Sequence, residues 1–321
     1  MEVALIGVGY WGKNILRNLK ELGVLNCVYD SSLERVSQIR AQYPDLNFCN
    51  SIEHVWEDPS VKAVCIATPA STHYSLVKRA LLSGKDVFVE KPLALSTKEA
   101  EELIEIAQKN ERILMVGHIL RYHPAVLKLK ELIDGGMLGS INYIYSNRLN
   151  IGKLRSEENI LWSFAPHDIS VILYLIGEEP SSVEAFGGDY VQKGIYDVTI
   201  THLEFSKGVK GHVFVSWLHP FKEQKLVVVG STQMAVFDDL TEEKLFLYPH
   251  KIKFENSIPV AEKAERVVVQ VEKAEPLKEE LKHFLHCCEF RETPWTDGNE
   301  GLRVLRVLEK AQESLNLKGR R

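Results

Sequence analysis

One short turn constrains this chain more than any other stretch, Gly7-Val8-Gly9-Tyr10-Trp11-Gly12. An apolar run, Val3-Ala4-Leu5-Ile6, precedes it and reads as a buried strand; the residues after it, Lys13 to Leu19, carry helical apolar spacing. A glycine triplet set between strand and helix is the context in which this spacing binds a dinucleotide. Gly7 permits the tight turn, Gly9 lets backbone approach a pyrophosphate, and Gly12 lets helix and strand pack closely. The helix N-terminus, with Tyr10 and Trp11 beside it, then faces the phosphates. A second short strand, Asn26 to Tyr29, ends in Asp30, eighteen residues after Gly12. Such an acid accepts hydrogen bonds from the adenosine ribose hydroxyls, or it caps the helix that begins near Ser31. Followed by serine rather than arginine, it favours NAD over NADP, although Arg35 is close in sequence.

Alternation of short apolar runs with helical periods continues through Ala63–Ala67, Asp86–Val89 and Ile113–Gly117. This predicts an α/β fold opening with a Rossmann domain, a doubly wound parallel sheet, over residues 1–119. From about residue 140 the pattern becomes strand-like alternation, at 141–146, 199–205 and 212–217, with Lys207-Gly208 as a hairpin turn. Residues 120–321 are therefore expected to form an α+β domain with a large open, mostly antiparallel sheet, binding substrate and serving oligomerisation. Strands at 225–229, 233–237 and 266–271 and helices at 277–290 and 298–315 complete the expectation. An apolar sheet face does not stay in water, so a homodimer or homotetramer should cover it.

Bulk properties exclude several classes. A net charge of −5 over 321 residues offers no basic footprint for nucleic acid. No apolar stretch reaches membrane-spanning length. The start runs straight into the first strand, and five cysteines show no metal-ligand spacing, so a cytoplasmic protein without a structural metal is expected.

Polar residues gather where ligands meet such sheets. The third strand ends in Thr68-Pro69-Ala70-Ser71-Thr72-His73, either cofactor contacts or ordinary turn and capping chemistry. The fourth ends in Glu90-Lys91-Pro92, an acid and a base at a strand terminus, or else a plain surface ion pair.

In order and spacing these stretches resemble the Gfo/Idh/MocA oxidoreductases, named for glucose–fructose oxidoreductase, inositol dehydrogenase and rhizopine catabolism. The resemblance covers essentially the whole chain. It implies a sugar or polyol dehydrogenase using NAD(P), with Lys91 as the catalytic lysine, oriented by Glu90. Cofactor contacts are implied for Gly7 to Gly12, Asp30, Thr68, Pro69, His73, Glu90, Lys91 and Arg121. The second catalytic stretch is Trp162-Ser163-Phe164-Ala165-Pro166-His167-Asp168-Ile169-Ser170. His167 stands at the family histidine, while Ser163 and Ser170 replace the aspartates that flank it in many members. Asp168 points about 100° from its helical neighbour, so it does not simply restore an Asp–His relay. Either Lys91 or His167 takes the hydroxyl proton, and the other polarises the oxygen.

Substrate contacts are expected from Lys91, His167, Asp168 and Trp162, which reads equally as a sugar-stacking wall or a core aromatic. Arg148, Lys153 and Arg155 border a polar loop that suits an anionic group such as a nucleotide-sugar diphosphate, or is simply solvated. With 216–222 and 296–302, these stretches resemble a subgroup acting on UDP-sugars, the UDP-N-acetylglucosamine 3-dehydrogenases, whose 3-keto product passes to a partner aminotransferase. A myo-inositol-like polyol dehydrogenase or reductase is the second reading. An inactive NAD-binding sensor is the third.

Overall fold

Strand β1 (Glu2–Ile6) sets the architecture, because Val3, Ala4, Leu5 and Ile6 are all buried and need cover on both faces. A computed structural model describes residues 1–152 and 154–318. After β1 the chain alternates through α1 (Gly12–Glu21), β2 (Leu25–Tyr29), α2 (Leu33–Gln42), α3 (Ile52–Glu57), β3 (Val61–Ile66), α4 (His73–Leu82), β4 (Asp86–Glu90), α5 (Thr97–Lys109) and β5 (Leu114–Gly117). The five strands pair in parallel in the order β2-β1-β3-β4-β5. Successive connections depart in opposite directions from β1, so the crevice for a ligand lies beyond the carboxyl ends of β1 and β3. Serines stop the helices from fraying: Ser96 caps α5 through the Glu99 amide, with glutamate at the third helical position as capping boxes favour.

Helix α6 (Pro124–Asp134) and strand β6 (Ile141–Leu149) follow, then α7 (Ile160–Ile176), β7 (Ser182–Gly188), β8 (Val198–Glu204), β9 (Lys210–Ser216), β10 (Glu223–Gly230), β11 (Met234–Asp238), β12 (Leu245–Tyr248), β13 (Lys251–Glu255), β14 (Ile258–Glu262) and β15 (Val267–Val269). Eight of these strands form one sheet, ordered β15-β12-β11-β10-β6-β9-β8-β7. Only β6 and β9 run parallel; the remaining neighbours are antiparallel. The β13–β14 ribbon stands apart and exposed. Helices α8 (Pro276–Phe290) and α9 (Gly298–Lys318) close the chain.

The chain divides into two compact units, Met1–Ile119 with Glu275–Leu305, and Leu120–Ala274 with the chain from Arg306. Residues 275–305 thus depart from the expected two-segment division. Phe284 of α8 packs on Phe88 of β4 with ring centroids 5.8 Å apart, and Met115 bridges to Asp297. Burial against the parallel sheet draws this late segment back. Strands β7, β12, β13 and β14 and helices α3 and α6 lie outside the elements expected from the sequence.

In the second unit α7 covers one sheet face, where Ser146 of β6 bonds Asp168. The opposite face carries cross-strand rows, Phe186–Ile200–Phe214 and His202–His212–Tyr145–Val227. Tyr143, Tyr145 and His212 stack along it at 6.0 and 5.0 Å. Phe186 is 55% and Ile200 44% exposed, an apolar face this chain leaves open. Among the described residues, no helix is long and apolar enough to cross a membrane.

Candidate active site

The glycine turn leaves β1 as steric demand requires. Gly7 holds φ +94°, and a Cβ there would lie 2.7 Å from the Ala67 carbonyl oxygen. A Cβ on Gly12 would sit 2.2 Å from the Gly7 oxygen, so only glycine lets α1 start here. Over Gly9 there is room, with Arg35 Nη1 nearest at 4.0 Å. No side chain caps α1 and its first turn holds no acid. Its positive dipole end is left to an external anion. Space over Gly9 and this uncapped terminus fit the pyrophosphate of a dinucleotide. Tyr10 is exposed and Trp11 partly so.

Asp30 is more committed than the sequence suggests. Its carboxylate accepts the Val8 amide at 2.9 Å and the Ser32 amide at 2.8 Å, and pairs with Arg35 Nε at 3.1 Å. It therefore ties the glycine turn to the start of α2. An arginine absent from the flanking sequence is present in space.

At the end of β3, Thr72 donates to the Pro69 carbonyl at 2.8 Å, so Thr68 donates to the Thr72 hydroxyl at 2.7 Å. His73, expected against the cofactor, is buried with Nδ1 2.7 Å from the Pro92 carbonyl and Nε2 2.9 Å from the Thr68 carbonyl. Its ring clamps the β3 and β4 loops together. An imidazolium satisfies both contacts, whereas a neutral ring donates to one and turns a lone pair on the other.

Glu90 ends β4 and accepts the Trp11 indole N–H at 2.5 Å. Burial pushes its carboxyl up to about 7, against the opposing pull of the Lys91 charge and the Trp11 hydrogen bond. A group poised there changes charge near neutral pH. Gly7, Gly12, Asp30, Thr68, Trp11, Glu90 and Lys91 thus share the carboxyl edge of one sheet.

In the second unit, His167 follows Pro166 within α7, which runs on unbroken. Asp168 points at the sheet: Ser146 Oγ donates to it at 2.6 Å, and Arg148 grips it through Nε at 2.8 Å and Nη2 at 3.2 Å. Burial lowers the Arg148 pKa, but Asp168 more than offsets that, and the net direction is upward. Arg148 therefore departs from its expected place on a solvated anion-binding loop. Arg155 meets Glu158 at 3.6 Å, and Lys153 lies outside the described residues. Trp162 donates to Gln312 at 3.1 Å, and the Arg121 guanidinium stacks 3.9 Å over the Tyr174 ring. Sequence reasoning missed Ser146 and Tyr174. Alternation along β6 was the available signal for Ser146, and no local signal marks Tyr174.

Comparison with known proteins agrees with this geometry. Residues 1–118 match the profile of the GFO/IDH/MocA oxidoreductase family, NAD-binding Rossmann fold, and residues 126–236 match the GFO/IDH/MocA C-terminal domain. A UDP-N-acetylglucosamine 3-dehydrogenase of Acidithiobacillus ferrooxidans is 28% identical over 95% of this chain and 94% of its own. The NAD-dependent scyllo-inositol 2-dehydrogenase of Bacillus subtilis is also 28% identical, over 92% and 88%. A solved structure of the Acidithiobacillus enzyme superposes with a TM-score of 0.87 at 26% identity, covering 100% of this chain and 99% of the other.

Proposed function

This chain belongs to the Gfo/Idh/MocA family of NAD-binding oxidoreductases of sugar and polyol hydroxyls, and from that premise we propose that it oxidises UDP-N-acetylglucosamine at C3 to the 3-keto sugar. The observation that carries the chemistry is Glu90, held by Trp11 of the glycine turn and adjoining Lys91. Support for the substrate comes from the Acidithiobacillus relative, whose likeness runs nearly end to end.

The cofactor is held by Gly7, Gly9, Gly12 and Asp30, with Tyr10, Trp11, Thr68 and Pro69 around it. NAD, when bound, supplies the two-electron acceptor. Lys91 enters the step as the neutral amine, a form that the positive charge of bound NAD would favour, and accepts the hydroxyl proton as the carbon–hydrogen bond breaks, so a hydride and a proton leave one alcohol and a ketone remains. Ionised Glu90 steadies the lysine as it takes that charge. His167, at the family histidine, is assigned to polarise the oxygen, while Asp168 is held by Ser146 and Arg148.

A second copy covering the open sheet, as a dimer or tetramer, completes the reading, with an aminotransferase consuming the ketone. Five free cysteines suit a reducing cytoplasm.

Incubation with NAD and UDP-N-acetylglucosamine should produce NADH and a 3-keto product, while Lys91→Met should abolish turnover and leave NAD binding intact. Turnover of free inositol or xylose without turnover of the UDP-sugar overturns the substrate. Binding without turnover on any sugar favours the sensor.

A further inference from the structure

Glu280 lies on α8 with no exposed surface at all, and among the described residues neither carboxyl oxygen has a hydrogen-bond partner. Nothing in the reading above uses it. Its position follows from how α8 runs along β4. Arg291, just past the helix, grips Asp86 at 2.7 and 3.1 Å. One helical stretch earlier, Phe284 packs on Phe88. A further turn back, four residues and about 6 Å along the helix, reaches Glu280. Two residues on, about 6.6 Å along the strand, reaches Glu90. The two carboxyls share one interior, and Glu280 feels the Glu90 charge.

We propose that Glu280 is a positioning residue for Glu90: it keeps its proton, so the pair carries a single negative charge and that charge rests on Glu90, beside Lys91. The assignment follows from what each carboxylate would lose. Like charges that share a buried site do not both ionise. Glu90 has the Trp11 indole and the Lys91 charge to stabilise its anion. Glu280 has neither, and an unpartnered buried carboxylate is too costly to keep. Burial and Glu90 both hold the Glu280 carboxyl well above the usual carboxylate range.

Other groups facing the pair do not alter the outcome. Cys65 on β3, opposite Phe88, is buried and feels both acids, so its thiol is pushed upward too. On α1, which packs against α8, Arg17 is committed to Glu21 and Glu275, and Lys20 to Asp45. Asn18 is buried there but carries no charge. A neutral acid behind Glu90 presents a dipole, not a second charge, to the Glu90 anion. Its effect on turnover rests on the reading of Lys91 as the base; its protonation does not.

The test needs no sugar. Trp11 reports Glu90 directly, so the pH dependence of its indole N–H signal, assigned with Trp11→Phe, follows Glu90 in the full-length protein. The wild type should titrate at about 7. Glu280→Gln, which keeps a neutral donor, should leave that midpoint in place. Glu280→Met should raise it by about one pH unit, because the Glu90 anion loses its polar neighbour. Infrared spectra should show a protonated carboxyl in the wild type above the Glu90 midpoint, and Glu280→Gln should lack it. An unmoved midpoint in Glu280→Met, a lowered one in Glu280→Gln, or no protonated carboxyl above the midpoint overturns the proposal. If Glu280→Met does not fold, the infrared comparison decides. Absence of turnover on every sugar would sink the catalytic reading and leave these titrations standing.

Discussion

Asp30→Ala separates two duties that a motif reading merges, ribose binding and support of the turn itself. The carboxylate is only 9% exposed and receives the Val8 and Ser32 amides at 2.9 and 2.8 Å. Val8 is fully buried, so removing its acceptor orphans an amide with no route to water. That costs about 1–3 kcal/mol; the Ser32 amide, nearer solvent, loses about 1 kcal/mol as one net hydrogen bond. Arg35 is half exposed, and its pair adds less than about 1 kcal/mol. The sum is about 3 kcal/mol. For a unit of this size it lowers the melting temperature by roughly 6–12 °C, at about 2–4 °C per kcal/mol. The assay is thermal unfolding without cofactor, paired with NAD titration. NAD affinity should fall at least about tenfold, equivalent to 1.4 kcal/mol, and discrimination against NADP should weaken because Arg35 is freed. An unchanged melting temperature in the cofactor-free protein, with only NAD affinity reduced, refutes the structural half of this argument.

Two further outcomes follow from buried charge. Arg148→Met strands Asp168 with Ser146 as its remaining donor and should destabilise the second unit by about 3–5 kcal/mol in denaturant unfolding; the Arg148→Met, Asp168→Leu double variant should recover most of the loss, and equal damage in both would contradict an ion-pair origin. Glu90 is raised from 4.5 to about 7, so the folded state holds its proton longer than the unfolded chain. Its contribution is fully present below pH 4.5 and is lost as pH rises through about 7, a change of about 3 kcal/mol. Glu90→Gln should therefore match the wild type near pH 4 and melt higher at pH 8, while losing turnover and its rise through pH 7. A variant no more stable at pH 8 would show that Glu90 is not strained by burial.

What could be read from the sequence is what is decided locally. Gly12 announces itself because a Cβ there would strike the Gly7 carbonyl, a demand set within six residues, and Gly7 because the turn takes it to φ +94°. The parallel sheet shows in apolar runs for the same reason. That His73 meets the Thr68 and Pro92 carbonyls could not be read, because backbone acceptors leave no mark in residue type. Glu280 and the return of 275–305 to the first unit depend on α8 reaching a strand some 190 residues earlier. Such separation erases any periodic signal.

The altered histidine stretch shows how the two kinds of information combine. Ser163 and Ser170 told of a missing acid, and the sequence left open whether Asp168 might replace it. Both Asp168 oxygens are taken, one by Ser146 and one arm of Arg148, the other by Arg148 Nε. An aspartate so engaged anchors α7 to β6, with its charge balanced by Arg148. Glu90, by contrast, sits next to a lysine and titrates near neutrality. An acid adjoins the lysine, and on the proposed reading that is the physical ground for placing the departing proton on Lys91.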